Sequence, residues 1–144
     1  MNRALLLLGF VALLVVGCGS SPPTYDAKTI EAANQFGKVA AAYKEAYQKI
    51  RRPPTADDLK PFLKKYGDPD ALLTSPLDGK PLVIVPGPPP DAPPAEGEQP
   101  IIAYEQTGVN GRRMTVDSRG TVVFFSDAEF AKIKFAGGHK PAER

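Results

Sequence analysis

The sequence has little of the side-chain chemistry that builds disulfides, metal centres and catalytic sites. Its 144 residues include one cysteine, one histidine and no tryptophan. Cys18 alone excludes an internal disulfide framework, and together with His139 it falls short of the three or four ligands of a zinc site. We therefore expect neither a metal nor a cofactor.

Net charge and hydrophobic length are also limited. A formal charge of +2 is too small to indicate a nucleic-acid-binding surface. The longest apolar run, Ala4 to Val16, is interrupted only by Gly9 and is about seven residues short of the roughly 20 that cross a bilayer as a helix. It follows the positive Arg3, as the central region of a signal peptide does.

The end of this run, Val15-Val16-Gly17-Cys18, resembles a bacterial lipobox, in which a small residue precedes an invariant cysteine. The resemblance implies cleavage between Gly17 and Cys18, so that residues 1–17 are a signal peptide. It also implies a diacylglyceryl group on the Cys18 thiol and a protein held on a membrane at the extracytoplasmic side of the cell envelope. Gly19 stands where an aspartate would signal retention in the inner membrane, which favours the outer membrane. A plain secretory signal and a buried N-terminal helix are the alternatives.

Residues 18–25 are expected to form a lipid-anchored tether, because Gly-Ser-Ser-Pro-Pro has no large apolar side chain. A single domain over residues 26–138 begins with a long helix, for which Asp26 is a suitable N-cap and Pro53 a stop. Spacings of three and four predict one buried apolar stripe on this helix. The stripe comprises Ile30, Ala33, Phe36, Ala40, Tyr43, Tyr47 and Ile50.

Two other interpretations of this stripe remain open. It could be the seam of a coiled coil, or Tyr43 and Tyr47 could form an aromatic binding surface. We favour packing on a sheet, because the stripe is only about three heptads long and Ala33 and Ala40 on it are small.

In the middle of the chain the sequence pattern changes from one typical of helices to one typical of β-strands. Thr55 and Asp58 have capping-box spacing and predict a short second helix, which Pro61 should distort. Leu82 to Val85 is a short apolar strand. Pro86 to Pro100 holds seven prolines and no large apolar side chain, which predicts a solvated polyproline II loop that joins neither a sheet nor the core. Binding of this loop to a proline-recognising groove is the less favoured alternative.

The last third predicts an antiparallel meander. Its strands are expected over residues 101–105, 112–116 and 121–125, with a tight turn at Asn110-Gly111. A capping box from Ser126 to Glu129 should start a final helix through Ile133, and residues 139–144 should form a frayed polar tail. The expected fold class is α+β, with the long helix packed on a small three- to four-stranded antiparallel sheet and short accessory helices.

Several short motifs are similar to small pilin-like domains of unknown function, whose C-terminal hairpin carries an Ala-Asp-Gly-(Ser/Thr/His)-Val signature. They are Asn34–Ala40 with Tyr43 and Tyr47, Pro53–Leu63, Ala103–Glu105, Gly111, Gly120–Val122 and Asp127–Phe130. Ser75–Pro81 also resembles the turn before the first strand of type II secretion pseudopilins. The resemblance implies a long helix on a small antiparallel sheet. The chain departs from the pattern at Arg119, which replaces the hairpin aspartate, and at Leu14, where a prepilin would carry glutamate.

No arrangement typical of an enzyme is evident. His139 lies in the polar tail, where a general base has no fixed position. Gly108, Gly111 and Gly120 suit turns between strands and do not form a phosphate loop. We therefore expect a non-enzymatic structural or protein-interaction module of the envelope, with an unidentified envelope protein as its partner. An accessory component of a pilin-like or type II secretion apparatus is the alternative, and a weak hydrolase or ligand-binding protein is less favoured.

Overall fold

A computed structural model of the protein describes residues 25–87 and 89–141. The signal peptide and the lipobox residues Gly17 and Cys18, predicted above, lie outside the described residues, as does nearly all of the tether. Nothing in the fold described below bears on them.

The chain folds as one long helix, short helices and a small sheet. The helices are α1 (Ala27–Ile50), α2 (Ala56–Leu63), α3 (Pro69–Leu72) and α4 (Asp127–Phe130), with a 3-10 turn at Ala136–Gly138. The strands are β1 (Val83–Ile84), β2 (Glu98–Gln99), β3 (Ile101–Tyr104), β4 (Arg112–Asp117), β5 (Val122–Ser126) and β6 (Lys134–Phe135). Four of them form an antiparallel sheet in the order β1-β3-β4-β5. The predicted α+β fold is confirmed.

Helix α1 begins and ends where local chemistry requires. The Asp26 side chain accepts a hydrogen bond from the Thr29 amide at 2.7 Å, which satisfies one of the free N–H groups of the first turn. At the other end Arg51 takes a left-handed conformation, and its N–H bonds to the Tyr47 carbonyl. Within the described residues, no helix is both long and apolar enough to cross a membrane.

The buried face of α1 is wider than the predicted stripe and is rotated from it. Its buried residues are Ala32, Phe36, Val39, Ala40, Ala42, Tyr43 and Ala46. Ile30, by contrast, is 52% exposed, and Ala33, Tyr47 and Ile50 are only half buried. The helix contacts α2 and α3 as well as the sheet, so it must bury more than one row of side chains. The coiled-coil interpretation is wrong, because Phe36 and Tyr43 are fully buried within this one chain.

The sheet is covered on both faces. One cluster of side chains, including Ile102, Met114 and Val116, packs between the sheet and α1. A second cluster on the opposite face comprises Val85, Ile101, Tyr104, Phe130 and Phe135. The register shifts between Ile101 and Ala103, which leaves Ile102 as a bulge. Because of this bulge, Ile102 and Ala103 both belong to the first cluster, and Ile101 and Tyr104 both belong to the second.

The C-terminal part differs from the prediction. Helix α4 starts at the predicted capping box but ends at Phe130, and the chain then forms β6. His139 is half buried, and its Nε2 lies 3.0 Å from the Tyr104 hydroxyl, so the predicted frayed tail is wrong at this residue. The reason is the second sheet face, which would otherwise leave Ile101 and Tyr104 in water.

The proline-rich loop is also more integrated than its composition predicts. Glu98–Gln99 pairs in parallel with Lys134–Phe135, and Pro90 and Pro100 are buried. The Gly87 amide donates a hydrogen bond to the Tyr43 hydroxyl. Proline rings are apolar and can be buried, and non-proline residues in the loop keep their N–H groups. Residues 91–97 are mainly exposed, as predicted for the whole loop.

Candidate functional site

Strand β5 has one open edge. The amide of Asp117 bonds to the Thr121 carbonyl, and that of Asp127 to the Gly111 carbonyl. These bonds flank the paired register of β4 and β5. Hydrogen-bonded pairs alternate along an antiparallel ladder, so Val123 and Phe125 direct their backbone groups towards β4. Val122 and Phe124 therefore direct their N–H and C=O groups outward, and none of the described residues bonds to them.

A groove of about 400 Å³ runs between this edge and the N-terminal half of α1. We call it the edge groove. Its walls are Thr29, Ile30, Ala33 and Asn34 from α1, Val122–Phe124 from β5, together with Tyr25 and Arg112. The Val122 and Phe124 side chains lie on the α1 side of the sheet, as the alternation of a strand requires. The groove is therefore mainly apolar and bordered by free backbone groups.

Large apolar side chains are exposed around the edge groove. In the part of the chain that the structure describes, four of them are at least 40% exposed: Tyr25 at 49%, Ile30 at 52%, Val109 at 40% and Val123 at 40%. Tyr25 and Ile30 line the groove, Val123 borders it with its side chain on the opposite face of β5 from Phe124, and Val109 lines an adjoining hollow that shares Tyr25 with the groove. Single exposed apolar residues are ordinary, but a local group of them marks an interaction surface.

Aromatic and cationic contacts fix one end of the groove. The Tyr25 ring stacks on Phe124, with centroids 5.9 Å apart and planes inclined by 15°. The Arg112 guanidinium also lies over the Phe124 ring, 5.5 Å from the ring centroid. Among the residues that line the groove, Arg112 is the one with a charged side chain.

A second candidate is a buried polar cluster near the end of β3. The Ser75 hydroxyl donates to Glu105 Oε1 at 2.6 Å, and the Met114 amide donates to Glu105 Oε2 at 2.8 Å. Burial raises the pKa of Glu105, although these two hydrogen bonds oppose the shift. The Ser75 oxygen also accepts from the Leu77 amide at 3.0 Å. Ser75 and Glu105 are each 1% exposed, and their polar atoms are engaged in these hydrogen bonds, although Glu105 also lines a hollow of about 280 Å³ beside Tyr25.

Asp78 next to this cluster joins two turns. Its carboxylate accepts from the amides of Lys80, Thr107 and Gly108, each at 3.0 Å. Partial burial acts to raise the pKa of Asp78, but these hydrogen bonds hold it below its ordinary value. A Cβ on Gly108 would lie 2.1 Å from the Arg112 carbonyl oxygen, so only glycine allows this approach. All of these polar groups are used in structural hydrogen bonds.

The third candidate is the aromatic cluster around Tyr104 on the other face of the sheet. Its ring contacts Phe130, Phe135 and His139, with centroid distances of 5.0 to 5.8 Å. Burial raises the pKa of Tyr104 and lowers that of His139. The buried Arg113 guanidinium lies 4.4 Å from the Phe130 ring centroid. This cluster closes the second core and has no cavity among those described above.

The structure places the candidate residues of the sequence analysis in different environments. Tyr43 is fully buried, which contradicts an exposed aromatic stripe, and its hydroxyl bonds to the Val85 carbonyl beside edge strand β1. Across the described ranges, no group of three or more His, Cys, Asp or Glu side chains is arranged to hold a metal. The helical spacing predicts Ile30 in the core, and so the edge groove is not evident from the sequence. The signal was available in β5, which is the last strand of the predicted meander and so an expected edge.

Comparison of the chain with protein-family models, with curated proteins and with solved structures finds no match. The pilin-like resemblance and the lipobox therefore remain predictions from the sequence.

Proposed function

We propose that the chain is a lipoprotein of the bacterial cell envelope that acts as a non-enzymatic interaction module on a membrane. The anchor is Cys18, whose sequence context supports cleavage after Gly17 and lipidation of its thiol. Two or three acyl chains, at about 0.8 kcal/mol per buried CH₂, hold a protein on a membrane almost permanently. The extracytoplasmic side follows from the signal peptide, and Gly19 favours the outer membrane.

One observation carries the interaction role, namely the edge groove with its free backbone groups. It is lined by exposed apolar side chains and is open to solvent, whereas the polar groups of Ser75, Asp78 and Glu105 are held in structural hydrogen bonds. An accessible apolar groove with few polar groups favours binding over catalysis. The groove also includes Tyr25, seven residues from Cys18 in sequence, so its occupant would be bound within about 25 Å of the anchor.

A second candidate is an accessory role in a pilin-like or type II secretion apparatus. The long helix on a four-stranded antiparallel sheet is the arrangement that the resemblance implies, which favours this role over an unrelated envelope function. Crosslinking in intact envelopes distinguishes the two, because only the accessory role requires adducts with subunits of such an apparatus.

Substitution of Cys18 tests the anchor. In Cys18→Ser the thiol that receives the lipid is absent, so we expect no labelled palmitate on the protein and accumulation of the uncleaved precursor. Ser20→Ala, two residues away, is the matched control and should be labelled like the native chain. Equal labelling of Cys18→Ser and the native chain would refute the lipoprotein assignment.

A further inference from the structure

The open edge of β5 determines what kind of molecule can fill the edge groove. Val122 and Phe124 present N–H and C=O groups to it, and none of the described residues bonds to these groups. A polypeptide in extended conformation can pair with such an edge at a distance of about 4.8 Å. Lipid tails offer no hydrogen-bonding groups, so the groove suits a polypeptide and not a membrane surface.

The side-chain wall of the groove specifies the pattern of that polypeptide. A strand added to β5 would direct alternate side chains to the α1 side of the sheet, where Ile30, Ala33 and Phe124 line the groove. Small or branched apolar side chains at every second position would bury Ile30, which is now 52% exposed. The tether sequence Gly-Ser-Ser-Pro-Pro does not fit this pattern, since it has no large apolar side chain and two residues without an N–H.

The charge at one end of the groove adds a polar requirement. Arg112 is exposed, stands opposite Ser126 in the β4–β5 register, and lies over the Phe124 ring. A carboxylate in the occupant, from an acidic side chain or a chain terminus, would complement this guanidinium.

We propose that the edge groove receives an extended segment of another envelope protein. The segment adds a strand to β5, places alternate apolar side chains against Ile30 and Ala33, and sets a carboxylate against Arg112. This inference rests on the proposed interaction role and names the chemistry of the partner.

The test uses site-specific photocrosslinking with the full chain in the bacterium that encodes it. The probe is p-benzoylphenylalanine, placed at Ile30 in the groove or, as a matched control on the exposed face of the same helix, at Gln48. We expect the Ile30 probe to crosslink one short segment of a partner protein, identified by mass spectrometry of the adduct, with alternating apolar residues and a carboxylate. The Gln48 probe should not crosslink that segment.

Two substitutions test the geometry of the adduct. Val122→Pro removes an outward N–H at the first residue of an edge strand, a position that tolerates proline, and should lower the yield from Ile30 at least about tenfold. Arg112→Glu should lower the yield by a similar factor, while Lys132→Glu, a charge reversal at an exposed residue outside the groove, should not. A thermal melt of each variant establishes that it is folded. If Val122→Pro does not fold, Arg112→Glu and its control decide alone.

The other outcomes overturn the inference in distinguishable ways. Adducts from Ile30 with a second copy of this chain would indicate pairing of two β5 edges, and adducts with phospholipid would indicate a membrane-facing patch. Protein adducts from Gln48 but not from Ile30 would refute the groove and leave the proposed interaction role intact. Adducts from neither position would refute both, whereas palmitate labelling of Cys18 judges the anchor separately.

Discussion

Replacing Tyr43 by phenylalanine isolates the hydroxyl that connects α1 to the proline-rich loop. This hydroxyl accepts from the Gly87 amide at 3.1 Å and donates to the Val85 carbonyl at 3.4 Å, and the side chain is fully buried. The substitution keeps the ring and leaves a buried N–H without its partner. An unsatisfied buried donor costs about 1–3 kcal/mol, and the longer bond to Val85 adds little. We therefore expect the free energy of unfolding to fall by about 1–3 kcal/mol.

Urea unfolding of a soluble chain of residues 24–144 measures this loss. Tyr47 is the matched control, because it lies one turn further along α1, is half buried, and its hydroxyl makes no hydrogen bond to any described residue. Tyr47→Phe should change the stability by less than about 0.5 kcal/mol. Hydrogen exchange of the Gly87 amide should also become faster in Tyr43→Phe. A loss below about 0.5 kcal/mol with unchanged exchange at Gly87 would show that this hydroxyl does not hold the loop.

Three further predictions concern the core, the loop and a buried acid. Phe36→Ala should lower the free energy of unfolding in urea melts by about 3–5 kcal/mol, and Lys38→Ala, at an exposed residue, should lower it by less than about 0.5 kcal/mol. A midpoint that depends on protein concentration would contradict packing within one chain. Limited proteolysis should cut first within residues 91–97, and shortening there should cost less than about 1 kcal/mol. Deletion of all of Pro86–Pro100 should cost more, because it removes β2 and the Gly87 contact; equal costs would refute the structural role of the loop. Burial raises the pKa of Glu105, so the folded state favours the protonated form of this side chain. As pH rises from about 4 to 8, the native chain should therefore lose stability relative to Glu105→Gln. A difference in unfolding free energy between the two proteins that stays constant with pH would mean that Glu105 does not titrate above its unfolded pKa.

Local signals in the sequence were sufficient for most of the elements. The capping boxes at Thr55–Asp58 and Ser126–Glu129 start α2 and α4 as predicted. Asn110 and Gly111 both have positive φ, as the tight turn between β3 and β4 requires. These features depend on neighbouring residues alone, and so a pattern read along the chain finds them.

The features that were missed depend on contacts between distant segments. Contacts with α2, α3 and the sheet together determine which side of α1 is buried. Ile30 lies outside that side and is exposed. His139 looked like part of a polar tail because nothing near it in sequence indicates its contact with Tyr104. The edge groove requires knowing that β5 remains unpaired on one side, a property of the whole sheet.

The bulge at Ile102 interrupts the alternation of side chains between the two faces of the sheet within strand β3. Before it, Ile101 belongs to the cluster that holds Phe130 and Phe135, and after it Tyr104 returns to the same cluster. Removing one residue here would restore strict alternation and turn the preceding chain over by half a rotation. Ile101 would then leave its aromatic neighbours, and Glu98–Gln99 would lose its register with Lys134–Phe135. One inserted residue thus decides which side of the sheet the proline-rich loop occupies.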